Sequence, residues 1–193
     1  MFEYLGTILV DIDPGFDVLR YLTVRTIGGT ITALLLTIFL GPKLISWLQR
    51  MQFKQYGVER GPDSHKQKSG TPTMGGLLII SSLLISTLLW SDLGNRYIWV
   101  CLFITSGFTI IGFLDDFFKI KYKDSKGLSG RLKLLSQTIV SILAVSFLYF
   151  SAEDSAEISL ILLFNKDWIF EMSMLPFILF GSFVIVGSSN AVN

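Results

Sequence analysis

Charge and cysteine are both scarce in this sequence, and each scarcity removes a class of protein. Lys, Arg, Asp and Glu make up 16% of the 193 residues, against about 25% in an ordinary globular chain. Sixteen cations against fifteen anions leave a net charge of +1, so partners must be argued from where charges lie and not from their sum. The single cysteine, Cys101, excludes an internal disulfide and a cysteine-based metal cluster; inside an apolar run, it is expected to serve packing. The chain starts MFEYLGTILVDIDPGFD, acidic where a cleavable secretory signal would be positive, so no cleavable signal is expected and insertion is expected to use the spans themselves. No internal repeat and no low-complexity tract is visible.

What is abundant is apolar surface. Hydrophobic residues reach 51%, aromatics 13%, and mean hydropathy is +0.58, more than a soluble domain of this size can bury. Charge-free runs at Thr26 to Pro42, Ser69 to Ser91, Tyr97 to Leu114, Leu134 to Ala152 and Met172 to Asn193 each approach the roughly 17–25 residues that cross hydrocarbon. Such runs are too long and too continuously apolar for barrel strands, and unpaired backbone is not tolerated in lipid, which leaves helices. The expected fold is an all-α integral membrane protein, one membrane domain over 1–193. Its five spans are expected at about 22–46, 72–92, 97–115, 133–152 and 173–193, with loops at about 47–71 and 116–132. The apolar stretches Ile158 to Phe164 and Tyr4 to Val10 are too short to span and are expected at the interface.

Lys and Arg set the orientation. Lys43, Arg50, Lys54, Arg60, Lys66 and Lys68 flank or fill the first loop, and Lys119, Lys121, Lys123, Lys126, Arg131 and Lys133 the other, so both are expected in the cytoplasm. The opposite connections carry Arg96 and Lys166, the second with five acids. An outer N-terminus follows, with Asn190 and Asn193 at the cytoplasmic surface. Basic loops of this kind lack the interleaved aromatics of a nucleic-acid platform, so nucleic acid is not an expected partner.

Three polar groups then fall on one side: HKQKSGTPTMGG from His65, GFLDDFFK from Gly112, and the terminal NAVN. Asp115 and Asp116 sit where the third span meets the cytoplasm, a costly place for carboxylates. A carboxylate pair offers hard oxygen ligands for Mg2+ shared with a diphosphate, or one member serves as a general base; juxtamembrane anchoring is the plain alternative. If the helix continues, Lys119 lies on the face of Asp115 and offers its ammonium to a phosphate. Gly70, Gly75 and Gly76 surround Thr71, Pro72 and Thr73 just ahead of an apolar helix, where a threonine cap and helix N-terminus attract an anion and Lys68 adds charge, although Gly and Pro there also punctuate ordinary turns. His65 is an acid, a base, a phosphate donor or simply a solvated loop histidine. Asn190 and Asn193, one turn apart, could bind a polar ligand or bond between helices. Arg25 is expected to snorkel to headgroups at the outer edge of the first span.

GTPTMGG opening the second span, GFLDD closing the third and SNAVN ending the fifth, with GPDSH and KDSKGL between them, closely resemble the phospho-N-acetylmuramoyl-pentapeptide transferase (MraY) family along essentially the whole chain. The resemblance implies transfer of phospho-MurNAc-pentapeptide from its UDP carrier to undecaprenyl phosphate, giving lipid I and UMP. It also implies Mg2+, a site facing the cytoplasm, and a multi-pass place in the bacterial inner membrane, in cell-wall synthesis and hence cell shape and division. By motif, Asp115 and Asp116 match the family's aspartate pair, Lys68 and Thr73 positions of the nucleotide pocket, and Asn190 and Asn193 the start of NxxNLTDGLDG. The rest of that motif, and the family's later metal-binding aspartate, histidine-rich loop and about five further spans, are not in this sequence, which ends at Asn193. The implied partners are therefore UDP-MurNAc-pentapeptide, undecaprenyl phosphate, the lipid bilayer and a C-terminal half, with a homodimer also compatible; the 193 residues alone are expected to be inactive. Phe117, where tyrosine is common, and Ser188 with Ser189 depart from the family pattern without altering it. The rivals are a related N-acetylglucosamine-1-phosphate transferase and a non-catalytic scaffold or transporter half.

Overall fold

The computed structural model describes residues 1–50, 75–122, 127–162 and 165–191. A short helix, α1 (Phe2–Leu9), and a 3-10 segment (Pro14–Arg20) precede the first long helix, α2 (Leu22–Arg50). Then come α3 (Gly76–Trp90), α4 (Arg96–Tyr122), α5 (Gly130–Phe150), a strand pair β1 (Ser159–Leu162) and β2 (Asn165–Glu171), and α6 (Met174–Ala191). Among the described residues, α2, α4, α5 and α6 are long and apolar enough to cross a membrane. With 15 residues, α3 rises only about 22 Å, short of the roughly 30 Å of hydrocarbon.

Chemistry at the ends explains several boundaries. Asn95 Oδ1 accepts the Tyr97 amide at 2.9 Å and Asp92 Oδ1 the Gly94 amide at 2.9 Å, a turn and cap that end α3 and start α4. Ser129 caps α5 through Leu132 N at 3.4 Å. Pro42 lies inside α2, where it removes a backbone donor that a membrane helix tolerates.

Several findings differ from the sequence expectation, the short α3 among them. The all-α reading missed the antiparallel hairpin, which pairs Ser159 with Glu171, Leu160 with Phe170 and Ile161 with Ile169. A four-residue apolar strand looks like any interfacial segment until its partner is found. The aspartate pair also does not end its helix. Residues 116–122, expected in a loop, are the last turns of α4, because loss of hydrophobicity ends a span without ending a helix.

The chain divides into two compact units. The first comprises Met1–Trp99 with Gly112–Leu128, the second Val100–Ile111 with Ser129–Asn193. Within the first, α2 packs on α3 through small residues. Ser86 Oγ donates to the Gly29 carbonyl, Trp90 Nε1 to Thr32 Oγ1 at 2.9 Å, and a Cβ on Gly28 would meet the Trp90 ring at 2.5 Å. Within the second, Gly107 meets Val140, and α5 and α6 close through Gly181 against Val145. Serines 82, 141 and 182 are buried, whereas Phe39, Phe103, Phe147 and Phe183 face outward. Small polar residues inside and large apolar ones outside are the arrangement of helices packed in lipid. Cys101 is exposed, not packed, since an apolar run in such a helix has a lipid face as well as a packed one.

Candidate active site

At the end of α4 the helical repeat places Asp115 and Lys119 one turn apart, with Asp116 beside them. Lys119 Nζ donates to Asp115 Oδ2 at 2.6 Å and to Asp116 Oδ1 at 3.1 Å. One ammonium thus bridges both carboxylates and keeps adjacent like charges from repelling each other outright. The pair is not symmetric. Asp115 is 13% exposed and Asp116 36%.

The asymmetry comes from the chain folding back. Asp115 Oδ1 accepts the Leu128 amide at 2.8 Å, a charge-assisted bond that fixes the carboxylate from the side opposite Lys119. Gly127 makes that approach possible. It sits at φ +57, and a Cβ there would lie 2.5 Å from Asp115 Oδ1 and 2.7 Å from Lys119 Cε, so only glycine fits both the conformation and the space. Sequence reasoning missed Gly127 and Leu128; the one available signal was a glycine in the KDSKGL stretch.

The cluster can therefore present one clamped carboxylate, one accessible carboxylate and a lysine whose third N–H is not used by the pair. Such a set suits phosphate and a divalent cation. Mg2+ is usually held by one or two carboxylates plus substrate oxygens, and Asp116 fits as one such ligand, while Asp115 is taken up by Lys119 and Leu128. Among the described residues no group of three or more His, Cys, Asp or Glu gathers, so further ligands have to come from substrate or from residues outside those described.

The other expected site residues are placed separately. His65, Lys68, Thr73 and Asn193 lie outside the described residues. Asn190, in the second unit, donates through Nδ2 to Gln137 Oε1 at 2.9 Å and to the Val186 carbonyl at 2.8 Å. Both its N–H groups are committed to helix packing, so only its Oδ1 remains for a ligand. Gln137, buried on α5, is a polar partner that the sequence did not single out. Arg25 stands close to α1, with Glu3 Oε2 3.8 Å from Nη1 and a side chain only 16% exposed, a neighbour that the expectation of a headgroup-facing arginine did not include.

Comparison with known families matches two stretches. The model for glycosyl transferase family 4 matches residues 98–193, which include the aspartate pair, Lys119, the Gly127–Leu128 turn and Asn190. The phospho-N-acetylmuramoyl-pentapeptide-transferase signature 1 matches residues 68–80, from Lys68 through Thr73 into the first turns of α3.

Proposed function

The chain belongs to the MraY family, phospho-sugar transferases of peptidoglycan synthesis, and from that premise we propose that it serves transfer of phospho-MurNAc-pentapeptide from UDP-MurNAc-pentapeptide to undecaprenyl phosphate at the cytoplasmic face of the bacterial inner membrane. A phosphate oxygen of the lipid attacks the sugar-bearing phosphorus. The new P–O bond forms the diphosphate of lipid I, and the bond to the uridine-side phosphate breaks to release UMP.

The observation that carries this reading is the Asp115–Asp116–Lys119 cluster at the end of an apolar helix. One substrate is soluble and the other anchored in lipid, so the reacting groups have to meet where hydrocarbon gives way to water. Phosphoryl transfer asks the protein for position and charge neutralisation more than for covalent help. Asp115, clamped by the Leu128 amide, holds Lys119 in place; Lys119 directs an N–H to a substrate phosphate. Asp116, the accessible carboxylate, takes a proton from the lipid phosphate or ligates the cation. Bound Mg2+ supplies further neutralisation of the diphosphate. Lys68 and Thr73, by the motif they match, belong to the nucleotide end of the site.

The test is a chimera in which this sequence replaces the corresponding part of a full-length family enzyme, assayed for lipid I from the UDP-linked donor. Asp116→Asn is expected to lower the rate by at least about a hundredfold, the scale for a residue acting on the transition state, with membrane insertion unchanged and activity in the unaltered chimera lost on chelation. Lipid I formation at the unaltered rate with Asp116→Asn rules out the assigned role.

A further inference from the structure

Away from the aspartate cluster, Arg25 stands one turn inside α2 with its Nε and Nη1 buried and without a hydrogen-bond partner among the described residues. Glu3 Oε2 lies 3.8 Å from Nη1, close enough to balance charge and too far to accept a hydrogen bond. A guanidinium cannot shed its proton to escape burial, and its paired N–H groups match an oxyanion that accepts at two points. The side chain opens on a groove of about 740 Å³ between α2 and α3, with Ser91, Asp92 and Asn95 also in its lining. Asp92 uses Oδ1 for the Gly94 amide, leaving its carboxylate charge at the same end of the groove. Further along, the walls become Ala33, Leu34, Ile79 and Leu83, reaching Thr37, about 18 Å of helix from Arg25. The buried Ser82 hydroxyl, also unpartnered among the described residues, lines this deeper part.

A polar end with one cation and one anion, continued by an apolar channel, describes the complement of one molecule. We propose that this groove binds a phospholipid with a primary-ammonium headgroup: its phosphate on Arg25, its ammonium on Asp92, and one acyl chain along the α2–α3 seam. An anionic headgroup would keep its phosphate on Arg25 but bring no cation to the Asp92 carboxylate. A quaternary ammonium would carry the charge but could donate no hydrogen bond. The site is separate from the aspartates, since Arg96, next to Asn95, and Asp115 are ends of one helical stretch about 28 Å long.

The chain is purified in detergent, exposed to equimolar phosphatidylethanolamine, phosphatidylcholine and phosphatidylglycerol with the same acyl chains, and retained lipid is counted by native mass spectrometry. Phosphatidylethanolamine should be retained over each of the others by about tenfold, the scale of one charge-assisted hydrogen bond. Asp92→Asn should bring it level with phosphatidylcholine. Arg25→Gln should lose retention of both, and Arg25→Lys should keep a reduced preference. Should Arg25→Gln fail to insert, the Asp92→Asn comparison decides alone. Equal retention of all three lipids, a preference for phosphatidylglycerol, a preference unmoved by Asp92→Asn, or no retained lipid, as when a protein segment fills the groove, would each overturn the proposal.

Discussion

Replacing Gly127 by alanine tests the turn that clamps Asp115. At φ +57 a residue with a Cβ carries about 1–2 kcal/mol of backbone strain that glycine does not. The added carbon would also sit 2.5 Å from Asp115 Oδ1, 2.7 Å from Lys119 Cε and 3.0 Å from Lys119 Cγ. Asp115 Oδ1 is the atom that accepts the Leu128 amide, so the methyl enters only if the carboxylate leaves that amide or the turn moves off it. Either way a hydrogen bond to a charged group is lost, roughly 1.5–3 kcal/mol. Local opening should then be easier by about 3 kcal/mol, or about a hundredfold. Amide hydrogen exchange in detergent reads this at Leu128, with Val145 in the second unit as an unaffected control. The expected result is exchange at Leu128 about a hundredfold faster, with Asp115→Ala, which loses the bond without the strain, speeding it by about ten- to a hundredfold. Unchanged protection at Leu128 in Gly127→Ala would refute the clamp.

Other substitutions probe the helix pairs. Gly28→Val drives a side chain into the Trp90 ring, whose nearest atom is 2.5 Å from the point a Cβ on residue 28 would occupy, and should cost about 1–3 kcal/mol; a fall in the thermal midpoint in detergent is expected, and an unmoved midpoint argues against close α2–α3 packing. A double-mutant cycle on Gln137 and Asn190, joined at 2.9 Å, should return a coupling of about 0.6 kcal/mol and no more than about 1.7. Zero coupling would mean the pair does not form. Gly181→Ala places a Cβ 2.9 Å from Val145 Cγ1, so it should destabilise the α5–α6 pair and Val145→Ala should relieve it; failure of the second change to rescue the first would reject that contact.

What could be read without coordinates was what sequence neighbours determine. Long apolar runs declared α2, α4, α5 and α6, and the four-residue spacing of Asp115 and Lys119 put them on one face once the helix was assumed to continue, though their direct bond was not foreseen. Contacts that close over distance left no such trace. Leu128 reaches Asp115 through a backbone amide, which every residue but proline has, and Gly127 resembles any other loop glycine until its φ is known. Gln137 and Asn190 meet across 53 residues, each looking like an isolated polar residue in its own helix. Arg25 gave no sign in the sequence of its approach to Glu3, 22 residues earlier. The hairpin escaped because β1 has four residues, too few for alternation to separate a strand from an apolar turn of helix.

Whether Asp116 and Lys68 work at one membrane face is read most directly by introducing Asp116→Cys and Lys68→Cys singly into a Cys101→Ser chain and applying a membrane-impermeant maleimide from each side. Both cysteines should react in inside-out vesicles and stay unreacted in intact cells whose outer face alone is accessible. Labelling of the two from opposite sides would contradict a shared phosphate-transfer site.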